Sequence, residues 1–209
     1  MSWMYKPGIG HDLGLITKGD ASAWATFSPD EKYRYALARI WDAHGALLVA
    51  CCLNPSTATH EETDPTLSKW IHYARRDHYG GILLVNIAAW RATDPRELLR
   101  LVRVGLDPVG SHNQEVIRRA LDRPLLGKAV AGWGAPKWKA IRPMIDRARS
   151  NGSSRAWHCL GVTQDGHPRH PLYLKNDAAI RPWTVEECLR SLRTPGERAK
   201  AKLMARGAA

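Results

Sequence analysis

Runs of consecutive apolar residues alternate along this chain with segments in which apolar residues recur at helical spacing. The longest apolar runs lie at 47–53 and 80–90, and shorter ones lie at 128–134 and 155–163. Such runs are typical of strands that are covered on both faces of a sheet. Because strands that alternate with helices favour a parallel sheet, we predict an α/β fold, a three-layer sandwich with a central, mostly parallel sheet.

Aspartate–proline pairs mark where two of the predicted helices begin. Asp64 precedes Pro65 at the start of a helix that runs to about Asp77, and Asp94 is followed by Pro95 and by a glutamate three residues after the cap. Aspartate is a good helix N-cap, proline suits the first helical turn, and the glutamate completes the pattern of a capping box. Further amphipathic segments predict helices at 111–123, 139–152 and 184–193.

The same pattern sets the expected domain boundaries. Residues 1–32 contain glycine, proline and isolated apolar residues without a clear period, which indicates an N-terminal arm or an edge elaboration. The segment from Tyr33 to Trp41 alternates apolar residues with arginines, as an edge strand does. We therefore expect an arm over 1–32, a single α/β domain over 33–192 and a basic C-terminal tail over 193–209.

The composition excludes several classes of protein. The chain has 209 residues and is 44% hydrophobic and 24% charged, which fits one globular domain. It contains no apolar run of membrane-spanning length and no secretory signal pattern. None of its four cysteines forms a C-x-x-C pair, so we expect a reduced, cytoplasmic protein. Glycine-rich phosphate loops, a nucleophile elbow and ligands at zinc spacing are absent from the sequence, so we expect no cofactor and no metal.

The charge points to a polyanionic partner. The net charge is +11, and residues 190–209 contribute six basic residues against Glu197 alone, so the excess extends beyond the tail. Nucleic acid, DNA most of all, is the commonest partner for such a surface, because each neutralised phosphate releases counterions. The alternative is a solubilising surface with a basic tail.

Polar residues follow the predicted strands at the points where those strands end. Asn54 follows the first long apolar run, Asn86 ends the second, Trp133 ends the third, and a loop with His167 and His170 follows the fourth. In parallel sheets, ligands bind beyond the carboxyl ends of the strands. The sequence therefore predicts that these side chains meet at one edge of the sheet.

These segments, in this order, resemble the motifs of the uracil-DNA glycosylase superfamily. The matching pieces are "LNPS" at 53–56, "LLVN" at 83–86, "GWG" at 132–134 and "HPLYL" at 170–174, the last without the Ser-Pro of the family motif. A longer span, from about Tyr33 to Leu174, resembles the DUF1643 family through "YRYALARIW", "LNPSTA", "DPT", "NIAAWRATDP", "WG" and "RHPLYL". The first resemblance implies a uracil-DNA glycosylase-like fold and a site that holds a nucleobase.

Three residues are the candidates for catalysis. As a catalytic residue, Asn54 would orient a water against the sugar C1′ or hold a base edge. As a structural residue, it would close an Asx turn before Pro55. As a catalytic residue, His170 would donate a hydrogen bond to the O2 of a departing pyrimidine or contact a phosphate. The alternative is a surface histidine without a role in the site. Asp64 assists a water or an oxocarbenium-like centre, although its helix-cap role is a sufficient explanation.

Five further residues are candidates for binding. As a binding residue, Asn86 would hydrogen-bond the Watson–Crick edge of a pyrimidine, because its amide offers one donor and one acceptor side. As a structural residue, it would cap a turn. Trp133 stacks on the base or packs in the core, and Ser56 contacts the base, a phosphate or the loop backbone. Arg169 and Thr57 are candidates for binding phosphate. The alternative for Arg169 is a solvated side chain, and the alternative for Thr57 is a hydrogen bond to the loop backbone.

Together these inferences predict a glycosylase-like, nucleobase-recognising protein that processes DNA. The expected reaction is hydrolysis of the N-glycosidic bond of a flipped or modified pyrimidine. Two alternatives stay open at this point: a base-modifying transferase or hydrolase on the same scaffold, and a non-catalytic reader of unusual bases.

Overall fold

The computed structural model describes residues 7–123, 125–136, 142–151, 157–194, 196–197 and 201. Within these residues the chain forms eight strands: β1 (Ile16–Gly19), β2 (Ala23–Phe27), β3 (Arg34–Ile40), β4 (Leu47–Cys52), β5 (Gly81–Asn86), β6 (Leu126–Ala131), β7 (Trp157–Cys159) and β8 (Arg181–Pro182). They form one sheet in the order β1-β2-β3-β5-β4-β6-β7-β8. The predicted α/β class is confirmed at this level.

The sheet is mixed, and its prediction as mostly parallel is not confirmed. Four of its seven pairings are antiparallel, namely β1–β2, β2–β3, β3–β5 and β7–β8. The three parallel pairings, β4–β5, β4–β6 and β6–β7, are neighbours in the middle of the sheet. The antiparallel majority arises largely from β1 and β2, because strands joined by short connections pair antiparallel. Both of these strands lie in residues 7–32, where we expected an arm.

The strand at 34–40 is not an edge strand, which corrects another expectation. Strand β3 lies between β2 and β5 and is hydrogen-bonded to both. Six of its seven residues are therefore buried, although its alternation of arginines with apolar residues is typical of an exposed edge. This position of β3 inside the sheet matters for the site, because it buries Arg34.

Five helices accompany the sheet: α1 (Pro65–Arg76), α2 (Arg96–Arg103), α3 (Asn113–Leu121), α4 (Arg142–Asn151) and α5 (Val185–Leu192). Helix α1 begins as predicted, since Asp64 Oδ1 accepts the Leu67 N–H at 2.7 Å. The capping box predicted at Glu97 does not form, because the Glu97 carboxylate accepts a hydrogen bond from the Trp90 indole N–H at 3.3 Å. The first residues of the predicted helix at 139–152 lie outside the described part of the chain, as does most of the predicted tail.

Helices pack on both faces of the sheet. Alternate residues of β4 face opposite sides, so Leu48 and Ala50 pack with Trp70 of α1, whereas Val49 packs with Val116 of α3. Helix α4 lies on the same face as α3. Because β4, β5 and β6 are parallel, their carboxyl ends meet at one edge between these two helical layers. Among the described residues, no helix combines the length and the apolarity needed to cross a bilayer.

Candidate functional site

A cleft of about 670 Å³ opens at the carboxyl ends of β4, β5 and β6. Pockets of roughly 300–1,000 Å³ suit small ligands. Seven of the eight predicted site residues line this cleft: Asn54, Ser56, Thr57, Asp64, Asn86, Trp133 and His170. Arg169 is exposed and is not among the lining residues. Of the strand-end residues that we expected to converge, Asn54, Asn86, Trp133 and His170 line the cleft, and His167 does not.

Asn86 is the most unusual of these residues. It ends β5, is only 1% exposed, and neither its amide nitrogen nor its amide oxygen has a hydrogen-bond partner. Buried polar groups are almost always hydrogen-bonded, because an unsatisfied one retains its full desolvation penalty. An asparagine whose two amide atoms are unpartnered at the wall of a cleft is suited to hydrogen-bond a ligand through both of them.

A second buried asparagine fixes the backbone at Asn86. Asn113, the first residue of α3, donates through Nδ2 to the carbonyl oxygens of Asn86 and Ile87, each at 2.9 Å. The Ile87 N–H donates in turn to the Cys52 carbonyl at the end of β4. This bracing holds the end of β5 in place. We did not predict the role of Asn113, because an asparagine in an amphipathic helix has no distinctive sequence signal.

Asn54 connects two loops at the edge of the cleft. Its Nδ2 donates to the carbonyl oxygen of Ala92 at 2.7 Å and to that of Pro55 at 3.0 Å. The Ala92 N–H donates to the Pro55 carbonyl as well. The amide nitrogen of Asn54 therefore stabilises the loops that follow β4 and β5, and its predicted catalytic role stays a prediction.

Asp64 combines a structural contact with a position at the cleft. One carboxylate oxygen caps α1, while the residue is half-buried and lines the cleft. Its negative charge acts on two other lining residues, since it raises the pKa of both Arg34 and His170 against the opposite effect of burial. Among the described lining residues, Asp64 is thus a carboxylate whose charge acts on two basic groups.

His170 is held as a neutral ring. Burial lowers its pKa below the ordinary value, and Asp64 offsets this only in part. Its Nδ1 accepts the Leu172 N–H at 3.4 Å. A neutral imidazole that accepts through Nδ1 carries its proton on Nε2. His170 therefore offers a hydrogen-bond donor rather than a positive charge.

Arg34 is a charged lining residue that we did not predict from the sequence. Its side chain is 1% exposed, its Nη1 donates to the Ala58 carbonyl, and its Nε has no partner. Burial lowers its pKa to about 10, so it keeps its charge at neutral pH. The only available signal was the arginine at the start of an otherwise apolar strand, and we had interpreted it as the outer face of an edge strand.

The remaining predicted binding residues differ in burial. Trp133 is 2% exposed and packs edge-on against Trp157 and Trp183, with ring centroids 5.8 and 5.5 Å apart. Its indole nitrogen is buried without a partner, so Trp133 belongs both to the core and to the cleft wall. Ser56 is half-buried and Thr57 is exposed, and both place hydroxyl groups at the cleft.

The cysteine at the cleft is unsuited to nucleophilic chemistry. Cys52 ends β4, and its sulfur accepts the Trp70 indole N–H at 3.2 Å. Burial raises the pKa of its thiol to about 12, and the thiolate is the reactive form of cysteine. Among the residues with described positions, no group of three or more histidine, cysteine or acidic side chains is arranged to hold a metal ion.

The fold and the site define a mixed α/β protein with a cleft of polar and apolar side chains at the carboxyl edge of its parallel strands. A family model described as "Protein of unknown function (DUF1643)" matches residues 34–172. This match covers about two thirds of the chain and all eight predicted site residues, so the chain belongs to the DUF1643 family.

Two further comparisons found no relatives. No curated protein matches this chain, and no solved structure matches it. The resemblance to the uracil-DNA glycosylase superfamily therefore rests on the short motifs and their placement alone.

Proposed function

We propose that the cleft recognises a pyrimidine nucleobase and that the protein is a glycosylase-like hydrolase acting on DNA. The observation that carries this proposal is Asn86, an almost fully buried amide with two unpartnered polar atoms in a cleft of ligand size. An asparagine amide offers one donor side and one acceptor side. The Watson–Crick edge of a pyrimidine offers the complementary pair.

The surroundings of Asn86 suit a flat, partly apolar ring. Leu84, Cys52 and Trp133 supply apolar surface in the same cleft. A base enclosed there is removed from its stack, which costs roughly a few kcal/mol. Contacts with these side chains and with the Asn86 amide would offset that cost.

The proposed reaction is hydrolysis of the bond between the sugar C1′ and the base nitrogen. The electron pair of this bond leaves with the base, and the Nε2–H of His170 donates to the base oxygen that gains negative charge. The oxygen of a water molecule bonds to C1′, and its released proton passes to the Asp64 carboxylate and then to the base. A neutral His170 fits this role, because it donates a hydrogen bond without needing to lose a proton.

The uracil-DNA glycosylase-like architecture forms part of the proposal. Its support is the order of the four strand-end segments along the chain and the presence of residues from all four at one cleft. The adjacent parallel strands β5, β4, β6 and β7 are compatible with that architecture. In this proposal, the antiparallel strands on either side of these four strands are additions to that architecture.

DNA as the partner is supported by charge. The net charge of +11 favours a polyanion. A strand also supplies the base in the extruded form that a cleft of this size can enclose. We therefore expect the affinity for DNA to fall steeply as the salt concentration rises.

One observation favours a second function, a non-catalytic reader of unusual bases. The amide nitrogen of Asn54, a candidate for positioning the attacking water, is already bonded to the carbonyls of Pro55 and Ala92. A cleft that only binds a base needs Asn86 and does not need a water-positioning group. The two functions share base recognition and differ in whether product forms.

The deciding experiment is incubation of the protein with oligonucleotides that carry one uracil, one mismatched thymine or one hypermodified pyrimidine. A glycosylase leaves an abasic site, which alkali converts into a strand break, and the break should disappear with Asn86→Leu. Tight, salt-dependent binding without breaks would identify a reader. A changed base mass without an abasic site would identify a base-modifying enzyme, and the absence of both binding and product would overturn the proposal.

A further inference from the structure

Arg34 is the only charged side chain among the buried residues that the structure describes. It begins β3, and its backbone N–H donates to the Ala89 carbonyl at 2.8 Å. This contact anchors it beside the chain that leaves β5. Arg34 and Asn86 line the same cleft. A buried cation is costly unless a counter-charge and hydrogen bonds compensate it.

The structure satisfies Arg34 only in part. Nη1 donates to the Ala58 carbonyl, and Nε has no partner. No ion pair joins Arg34 to a carboxylate within the described part of the chain, and Asp64 acts on it through charge from a greater distance. An arginine has five N–H donors. The buried guanidinium thus retains at least one unpartnered donor, its Nε–H, beside the cleft.

The surroundings of Arg34 favour an anion. Helices α1 and α2 both begin at this cleft, since Pro65 and Thr66 of the first and Thr93 and Pro95 before the second line it. Helix N-termini carry partial positive charge and are frequent phosphate sites, although at α1 the Asp64 carboxylate already accepts the Leu67 N–H. The hydroxyl groups of Ser56 and Thr57 add possible donors at the rim. Among the described residues that line the cleft, Asp64 is the only acidic one.

We propose that Arg34 binds a phosphate group, so that the cleft takes a pyrimidine nucleotide rather than a base alone. This inference rests on the base recognition by Asn86 proposed above. A guanidinium group binds phosphate through two parallel hydrogen bonds, and the helix N-termini favour the same charge. The phosphate can come from a free mononucleotide or from a nucleotide within a strand.

The test compares ligands with and without the phosphate. The probes are 2′-fluoro-2′-deoxyuridine, whose fluorine slows glycosidic cleavage, its 5′-monophosphate, and a single-stranded oligonucleotide that contains one such residue. Calorimetric titrations at constant ionic strength give their affinities for the wild-type protein and for Arg34→Gln. The matched control is Arg39→Gln, because Arg39 donates to the Thr59 carbonyl of the same loop at 2.7 Å and does not line the cleft.

We expect the wild-type protein to bind the monophosphate roughly 10- to 100-fold more tightly than the nucleoside. Arg34→Gln should abolish this advantage, and Arg39→Gln should keep it. If only the oligonucleotide depends on Arg34, the phosphate belongs to a strand. Equal affinity of the wild-type protein for nucleoside and monophosphate, together with an oligonucleotide affinity that Arg34→Gln leaves unchanged, would overturn the inference. Failure of the wild-type protein to bind any probe would overturn it too.

A competition experiment with the wild-type protein tests the inference if Arg34→Gln does not fold. Inorganic phosphate should compete with the monophosphate for the wild-type protein and should leave nucleoside binding unchanged; competition with neither would contradict the inference. The underlying proposal fails in a different way. If Asn86→Leu leaves nucleotide affinity unchanged while Arg34→Gln lowers it, the phosphate site stands and base recognition does not.

Discussion

Asn86 and Asn113 are two buried asparagines with opposite relations to the fold. The amide nitrogen of Asn113 donates two hydrogen bonds to backbone carbonyls and its amide oxygen has no partner, whereas both amide atoms of Asn86 lack a partner. The first stabilises the fold, and the second costs free energy of desolvation that no internal hydrogen bond offsets. A residue kept at such a cost is suited to bind a ligand.

This difference predicts opposite effects of one substitution. Asn86→Leu replaces an unsatisfied amide with an apolar side chain of similar size and should raise the free energy of unfolding by about 1–3 kcal/mol. Asn113→Leu, the matched control, leaves two carbonyls without their donor and should lower it by about 1–3 kcal/mol. Urea unfolding measures both values. A loss of stability in Asn86→Leu would show that this amide has a structural partner.

Asp64 has two possible roles, and one substitution separates them. Asn is as good a helix N-cap as Asp, so Asp64→Asn should keep the hydrogen bond from Leu67 and change the free energy of unfolding by less than about 1 kcal/mol. Loss of the carboxylate should slow base release by roughly 10²- to 10⁴-fold, as for other general bases. The rate of abasic-site formation measures this effect.

The control for Asp64 is Asp94→Asn. The Asp94 carboxylate likewise accepts a backbone N–H at the start of a helix, at 2.9 Å from Arg96, but it does not line the cleft. Its substitution should leave the rate unchanged. Full activity of Asp64→Asn would restrict that residue to capping.

The lowered pKa of His170 makes its contribution to stability dependent on pH. The folded protein binds a proton at His170 less readily than the unfolded chain, whose histidines titrate near a pH of about 6.5. Its contribution is therefore complete above that pH and is lost as the pH falls towards the folded-state pKa. The stability of the wild-type protein relative to His170→Gln should decrease between roughly pH 7 and pH 5. Urea unfolding at several pH values checks this, and a constant difference would contradict it.

At the scale of elements, the ends of the strands set the geometry of the site. The apolar runs of β4 and β5 predict where each strand stops, because a buried parallel strand has no polar interruption. The pair Asp64-Pro65 predicts the start of α1 for an equally local reason. The strand-end residues Asn54, Asn86, Trp133 and His170 could therefore be expected at one edge, and all four line the cleft.

Other elements could not be predicted, because their structure depends on distant partners. Strands β1 and β2 have only four and five residues, too few for a period to emerge. Strand β1 pairs with β2, and β2 pairs with β3. These pairings place β3 inside the sheet and so bury Arg34, which by itself resembles a residue of an exposed edge. The bracing of Asn86 by Asn113 likewise depends on how α3 packs against β5.

The turn after β6 gives a test of packing at this edge. A methyl group added at Gly132 would lie 2.6 Å from Trp70 Cζ2 of α1, so Gly132→Ala forces the helix or the turn to move. Overpacking of this kind should lower the free energy of unfolding by about 1–3 kcal/mol. Gly196→Ala, where the added carbon meets nothing within 4 Å, is the control. Equal stability of the two variants in urea would show that the contact with Trp70 is loose.

At the scale of the whole molecule, the chain has a net charge of +11, and its cleft is lined by Asn86 with an unpartnered amide and by the buried Arg34. In the proposed function, the positive charge attracts a nucleic acid at long range, and the cleft binds one of its nucleotides. The two functions proposed for this cleft share that binding step. Recognition of the base by Asn86 is therefore the central claim.

The most direct test is the affinity of the wild-type protein and of Asn86→Leu for a single-stranded oligonucleotide that contains one 2′-fluoro-2′-deoxyuridine. The same strand with an abasic analogue at that position measures binding through the backbone alone. We expect the wild-type protein to prefer the strand with the base by roughly 10- to 100-fold and Asn86→Leu to show no preference. Equal affinity of the wild-type protein for the two strands, or an unchanged preference in the variant, would contradict the claim.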